Sequence, residues 1–288
     1  MRRVLLSASA LGALVSAASA AEPQKVWEAG GFKNPESAVY DRDAGAIYVS
    51  NVNGGPTARD GNGFVSKLSP DGEVVALEWA RGLDAPKGLA LAGGRLYAAD
   101  LDRLVEIDVA TGEVAARHDA PGAGMLNDVT ADARGRVYVS DMVGNGVWVL
   151  EGGRLSLLLR DDALGHPNGL LAEAERLVVA SWGTMDENAP ARVPGRMRVV
   201  DLETKGVSDL GDPTLTGNLD GVVPDGKGGY LVTDWVSGGL FRVPARGEAA
   251  RLLPLKQGSA DLGAGPGEGL VMIPMMMEGT VVAYKVVD

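Results

Sequence analysis

Six polar or small residues open equivalent segments of this chain: Glu36, Lys87, Asn127, Asn168, Asp220 and Ala260. Two of them are carboxylates and two are amides, so four carry oxygen ligands. Side-chain oxygens without histidine or cysteine suit calcium, or another divalent cation, and calcium takes about 6–8 oxygens. The two carboxylates balance a divalent charge, and water or a substrate fills the remaining positions. Asx residues before glycine are also ordinary turn residues, as in Asn168-Gly169 and Asp220-Gly221. A single one would carry no meaning. Four at equivalent places, including a glutamate that turns do not ask for, favour a metal site at Glu36, Asn127, Asn168 and Asp220.

Other chemistry is scarce. The chain has no cysteine, which excludes disulfides, zinc–thiolate sites, iron–sulfur clusters and cysteine nucleophiles. It has two histidines. His166 lies two residues before Asn168, where it can touch a substrate; His118 belongs to an outer strand. No Gly-x-Ser-x-Gly elbow, phosphate loop or dinucleotide fingerprint is present. The net charge of −11 argues against a nucleic-acid partner and suits a protein that holds cations. Lys87 has two readings. Beside a cation its ammonium form is disfavoured, so it can serve as a base or a carbonyl-polarising donor. Alternatively it pairs with channel acids, for which Asp100 and Asp141 are placed.

What aligns these residues is a repeat. A short apolar strand recurs at Ile47-Tyr48-Val49-Ser50-Asn51, Leu96-Tyr97-Ala98-Ala99-Asp100 and Val137-Tyr138-Val139-Ser140-Asp141. It returns at Leu177-Val178-Val179-Ala180-Ser181, Tyr230-Leu231-Val232-Thr233-Asp234 and Leu270-Val271-Met272-Ile273-Pro274. The spacing is about 40 residues, with two longer units. Each copy follows a small-residue segment and a glycine turn, and precedes an alternating strand, a second glycine turn and a last strand. Four antiparallel strands per unit predict a propeller blade, and six units predict an all-β, six-bladed propeller over residues 21–288. The 41 glycines among 288 residues supply the turns. The sixth unit lacks a fourth strand, while Lys25-Val26-Trp27-Glu28 precedes the first unit without a place. Trp27 aligns with Trp79, so residues 25–28 are expected to pair with residues 281–285 and complete the last blade.

The first strand of each blade lines the central channel, so the six opening positions form a ring at one height. The second strand returns to the same rim, and the loops after it wall the mouth. Two are long, Val52 to Gly63 and Trp182 to Gly195, and long loops on a fixed scaffold carry specificity. Met125, Met142, Trp182, Trp235 and Met275 to Met277 give this mouth an apolar lining, which suggests a substrate with apolar parts. Substrate contacts are therefore expected from His166, Trp182, Trp235, Met125 and Met275.

Residues 1–20 read as an address. Arg2 and Arg3 precede an uncharged run that ends Ala18-Ser19-Ala20, the small-residue pattern of signal-peptidase cleavage. Export by the general secretory route is expected, with cleavage after Ala20, to the periplasm or the exterior, where calcium is available. No other segment is long and apolar enough to span a membrane. A monomer is expected.

The motifs Pro35-Glu36-Ser37-Ala38-Val39-Tyr40-Asp41, Asn127-Asp128, Pro167-Asn168-Gly169-Leu170 and Leu219-Asp220-Gly221 resemble those of the gluconolactonase and regucalcin-like propellers, relatives of paraoxonase. The resemblance covers about residues 24 to 288. It implies that Glu36, Asn127, Asn168 and Asp220 surround a catalytic calcium, with Asn127 nearer the substrate. Two departures stand out. Sugar-lactone members carry arginine where this chain has Met125, and a key paraoxonase histidine would fall at Lys87. The expectation is a calcium-dependent hydrolase of a lactone or related ester, with Asp220 as general base and Lys87 as its catalytic neighbour. The rival expectation is a non-catalytic binding propeller with structural calcium. A quinoprotein dehydrogenase shares the blades but needs a catalytic histidine, and only His166 could apply.

Overall fold

The computed structural model describes residues 22–287, other than 187, 190, 212 and 213. The expected address at residues 1–20 lies outside the described residues. The chain forms six antiparallel sheets in sequence order around one axis, with a single short 3-10 turn at Asp162–Leu164 among the described residues. The inner strands of blades 1 to 5 are Pro35–Asp41, Pro86–Ala92, Leu126–Ala131, Pro167–Ala172 and Leu219–Pro224; blade 6 begins at Gly263–Ala264. The strand Gln24–Gly30 pairs with Thr280–Lys285 as the outer edge of blade 6, with Lys25 opposite Tyr284 and Trp27 opposite Ala283.

The period of the sequence is the period of the packing. Second strands such as Ala46–Asn51, Val137–Asp141 and Tyr230–Asp234 are buried along their whole length. Both of their faces meet a neighbouring sheet, which is why they read as apolar runs rather than as alternation. Each of the six gaps between blades holds one apolar cluster. Tyr48, Val65 and Leu96 fill the gap between blades 1 and 2, and Ile47, Met272 and Val281 pack the last blade against the first. Outer strands alternate. Trp27 and Trp79 each cover a hairpin glycine of the following blade: a Cβ on Gly72 would sit 2.6 Å from the Trp27 ring, and one on Gly112 would sit 3.0 Å from that of Trp79. Both glycines are left-handed, at φ 86° and 78°, so turn and close approach ask for the same residue.

Second strands end in a side chain that holds the rim. Asp100 accepts the backbone N–H groups of Asp84 and Ala85, and Asp141 accepts those of Gly124, Met125 and Gly144. Asp234 accepts those of Val236 and Ser237. Asp100 and Asp141 thus place the loops in front of the inner strands of blades 2 and 3, and Asp234 holds the turn after its own strand. Asp100 and Asp141 make no direct bond to Lys87, against one reading of that lysine: Lys87 Nζ donates to the carbonyls of Pro56 and Ala85, at 2.9 and 3.0 Å.

Candidate functional site

The inner strands of blades 1, 2, 3 and 5 break register over their first three residues, between Pro35 and Ala38, Pro86 and Leu89, Leu126 and Val129, and Leu219 and Val222; blade 4 shifts between Pro167 and Gly169. A bulge leaves residues without a ladder partner and re-aims their side chains. Glu36, Lys87, Asn127, Asn168 and Asp220 all sit at these bulges, and all are buried. The residues after them form a second tier: Ser37, Gly88, Asp128, Gly169, Gly221 and Asp261. Hydroxyls of the second strands repair the broken ladder. Ser50, Ser140 and Thr233 accept the N–H groups of Ser37, Asp128 and Gly221. Ser140 and Thr233 then donate to the carbonyls of Asn168 and Ala260 in the next blade, at 2.7 and 2.9 Å. Ser140 and Thr233 therefore each tie one ring position to its neighbour.

The glycines of the second tier make room for its acids. A Cβ on Gly88 would lie 2.5 Å from the carboxylate of Asp128, and one on Gly221 would lie 2.5 Å from that of Asp261. Asp128 accepts from the N–H groups of Val129 and Leu170, both at 2.6 Å. Asp261 accepts from Ser37 Oγ at 2.5 Å. Beyond them a cavity of about 250 Å³, lined by Val129, Leu170, Val222 and Leu262, forms the far end of the channel.

The ring's electrostatics ask for positive charge. Burial pushes the carboxyls of Glu36 and Asp220 well above the usual carboxylate range, and repulsion from neighbouring acids adds to it. Asp128 is raised in the same way, and Asp261 is pushed up to about 7 by burial. Burial lowers the Lys87 ammonium, opposed by Glu36 and Asp100. One ammonium does not neutralise four carboxyls, and this one places two of its three N–H groups on backbone carbonyls.

Whether a cation fits is decided by the oxygens. Buried polar atoms almost always have partners. Glu36 Oε2, Asn127 Oδ1 and Asn168 Oδ1 are buried and have none. The amide orientations follow from their nitrogens: Asn127 Nδ2 donates to Met142 Sδ at 3.2 Å, and Asn168 Nδ2 to the carbonyl of Leu219 at 3.1 Å. Each amide is thereby left with a free carbonyl oxygen, a hard donor suited to calcium. No three His, Asp or Glu side chains among the described residues are grouped to hold a metal alone, so such a site depends on the two amides.

The predicted substrate residues divide. Trp182 and Trp235 meet at the mouth, with ring centroids 5.9 Å apart. Met125 is half-buried on the rim and bonded through its backbone to Asp141 and Met142. Met275 is not at the mouth: it is buried among Ile273, Leu240 and Leu262 between blades 5 and 6, and Met276 and Met277 occupy the rim instead. His166 holds a left-handed backbone, φ 60°, with Nδ1 2.9 Å from the carbonyl of Met142. A carbonyl only accepts, so Nδ1 carries the proton and Nε2 of the neutral ring is an acceptor. The imidazole lines a side cavity of about 390 Å³ with Met185, Val193, Arg196 and Arg198, and no ring residue shares that cavity. His118, on its outer strand, contacts Glu106. Asp261 and the bridging hydroxyls were not singled out by sequence. Their signal is the serine or threonine before the final Asx of the second strand.

No family model matches the chain, and no curated protein matches it in sequence. Solved structures match it in fold. A calcium-binding protein, regucalcin, from Agrobacterium tumefaciens str. C58 superposes with a TM-score of 0.66 at 16% identity, over 93% of this chain and 94% of that one. A structure assigned as a gluconolactonase gives 0.65 at 20% identity, over 93% of each chain. A gluconolactonase from Xanthomonas campestris gives 0.63 at 15% identity, over 92% and 88%. At these identities the likeness is one of fold.

Proposed function

We propose that the protein is a calcium-dependent hydrolase of a lactone or related ester, with the cation held at the ring by Glu36, Asn127, Asn168 and Asp220. The observation that carries this reading is the set of three buried, partnerless oxygens on Glu36, Asn127 and Asn168 beside a buried Asp220. The fold it shares with gluconolactonases and with a calcium-binding regucalcin supports the same reading. When bound, calcium supplies a charge that polarises the ester carbonyl.

The chain's own residues do the rest. Asp220 is the base, taking the proton of the attacking water at a carboxylate oxygen. Lys87 stands next to Glu36 in the ring order and lends an N–H to the developing negative oxygen. The amides of Asn127 and Asn168 are fixed in advance by Met142 and Leu219, so no reorganisation is needed as substrate arrives. The apolar rim excludes water around the reacting ester. Residues 1–20 support export to a calcium-containing compartment. Among the described residues, no helix is long and apolar enough to cross a membrane.

The test is a screen of lactones and aryl esters with and without a calcium chelator. Turnover abolished by chelation and restored by calcium is expected. Tight calcium binding without hydrolysis of any ester would leave the binding propeller as the account.

A further inference from the structure

The exposed apolar side chains at the mouth of the channel lie on one side of it, where blade 6 also carries the exposed Lys256–Glu278 ion pair. Among the described residues, nine large apolar side chains are exposed. Five lie on outer strands. The other four, Val143, Val193, Val236 and Met277, lie on rim loops of blades 3, 4, 5 and 6. The loops that carry them are linked through their backbones and one tryptophan pair. The Met142 carbonyl meets His166, and the His166 carbonyl accepts from Trp182 N. Trp182 packs on Trp235, whose carbonyl accepts from Gly258 N, and the Gly258 carbonyl accepts from Met276 N. The arc ends where Met276 packs on buried Val52, Ala85 and Leu101.

Blades 1 and 2 present the opposite character. Their rim is the loop after Asn51, crossed by an Arg59–Asp102 ion pair at 2.9 Å and by Gly61 N donating to Asp84. No large apolar side chain is exposed there among the described residues. Lys87 reaches up to this loop through the Pro56 carbonyl.

Resting on the hydrolase reading, we infer that the substrate is an amphiphile: a lactone or ester whose polar head enters the ring under the blade 1–2 loop and whose unbranched apolar arm lies along the arc of blades 3 to 6. The reacting group must descend to a buried ring, so whatever it carries has to lie on the rim. Exposed apolar side chains gathered beside a site mark ligand or membrane contact. A lipid surface fits less well. The apolar arc covers one side of the mouth only, and the chain's net charge of −11 opposes anionic membranes.

The test measures binding, with turnover kept apart. Calorimetry at saturating calcium compares 5-ethyl- and 5-octyl-2-pyrrolidinone, lactams that resist hydrolysis. Wild type is expected to bind the octyl lactam at least about tenfold more tightly, because the added methylenes leave water. A V236N/M277N variant, altered only at exposed positions, should lose most of that ratio, and V75N on an outer strand should keep it. A ratio near one, no binding of either lactam, or an unchanged ratio in the double variant overturns the inference. Sedimentation with phosphatidylcholine vesicles completes the test: vesicle binding abolished in the double variant, with a lactam ratio near one, would assign the arc to a lipid surface. A graded lactam ratio without hydrolysis of the matching lactones would retain the amphiphile and defeat the hydrolase; hydrolysis without grading would do the reverse.

Discussion

Asn127 gives its amide nitrogen to the sulfur of Met142, 3.2 Å away, and so is left with a carbonyl oxygen that has no partner in the protein. A thioether is a weak acceptor, but here it decides which end of the amide is free. Met142→Leu keeps the volume and removes the acceptor. The amide is then free to turn, and its N–H group loses its partner. Calcium affinity should fall by about three- to tenfold, with little change in melting temperature. Calorimetry on the variant checks this; unchanged affinity would mean that Asn127 is oriented by something else.

Asp220 has two proposed tasks, and one substitution separates them. Asp220→Asn keeps an oxygen, loses a charge and cannot accept the proton. If Asp220 only holds calcium, saturating calcium restores turnover. If it is also the base, a deficit of roughly 10²-fold or more persists at saturation. Asn127→Asp adds charge without removing the base and should bind calcium at least as well. A lactonase assay across a calcium titration reads both. Full rescue of Asp220→Asn would move the base elsewhere, with Lys87 next in line.

The buried acids also set a pH dependence. Burial pushes the Asp261 carboxyl up to about 7 in the folded chain, against an ordinary value of 3.8. Between those values the folded protein binds more protons than the unfolded one, so metal-free stability falls as pH rises through the window. The melting temperature of chelated protein should therefore drop from pH 5 to pH 8, and Asp261→Asn should flatten that slope. Calcium, by favouring ionised ring acids, should reverse it. A chelated protein that gains stability over the same range would show that these acids are already ionised.

Gly72 turns the hairpin beneath Trp27 with φ 86°, and a Cβ there would lie 2.6 Å from the indole. Gly72→Ala combines left-handed strain with a clash, at a cost of roughly 2–4 kcal/mol. Urea denaturation measures it. A cost under about 0.5 kcal/mol would mean that Trp27 does not press on this turn.

The blades were legible because one packing problem is solved six times, and its solution repeats in the sequence. Ring positions were legible for the same reason: Glu36, Asn127, Asn168 and Asp220 align once the repeat is found. The inward turn of Asp128 and the place of Asp261 were not. Strand alternation sends adjacent residues to opposite faces; the bulge between Leu126 and Val129 turns both Asn127 and Asp128 toward the channel, and Asp261 precedes the short first strand of blade 6. The run Met275-Met276-Met277 shows the converse. Three identical residues carry no register, and where the strand ends decides that Met275 is core while Met277 is rim. One of the two readings of Lys87 pairs it with Asp100 and Asp141, because a buried ammonium calls for a carboxylate. Those acids are instead committed to loop N–H groups, a use visible only once the rim is built.

The central claim is that these four side chains hold one divalent cation. Calorimetric titration of calcium into metal-free wild type and Asp220→Ala tests it most directly. The account predicts one site per chain in wild type and an affinity at least about a hundredfold weaker in Asp220→Ala, whose loss removes a ligand and a charge. Wild-type affinity in Asp220→Ala, or no calcium binding by the wild type, would contradict it.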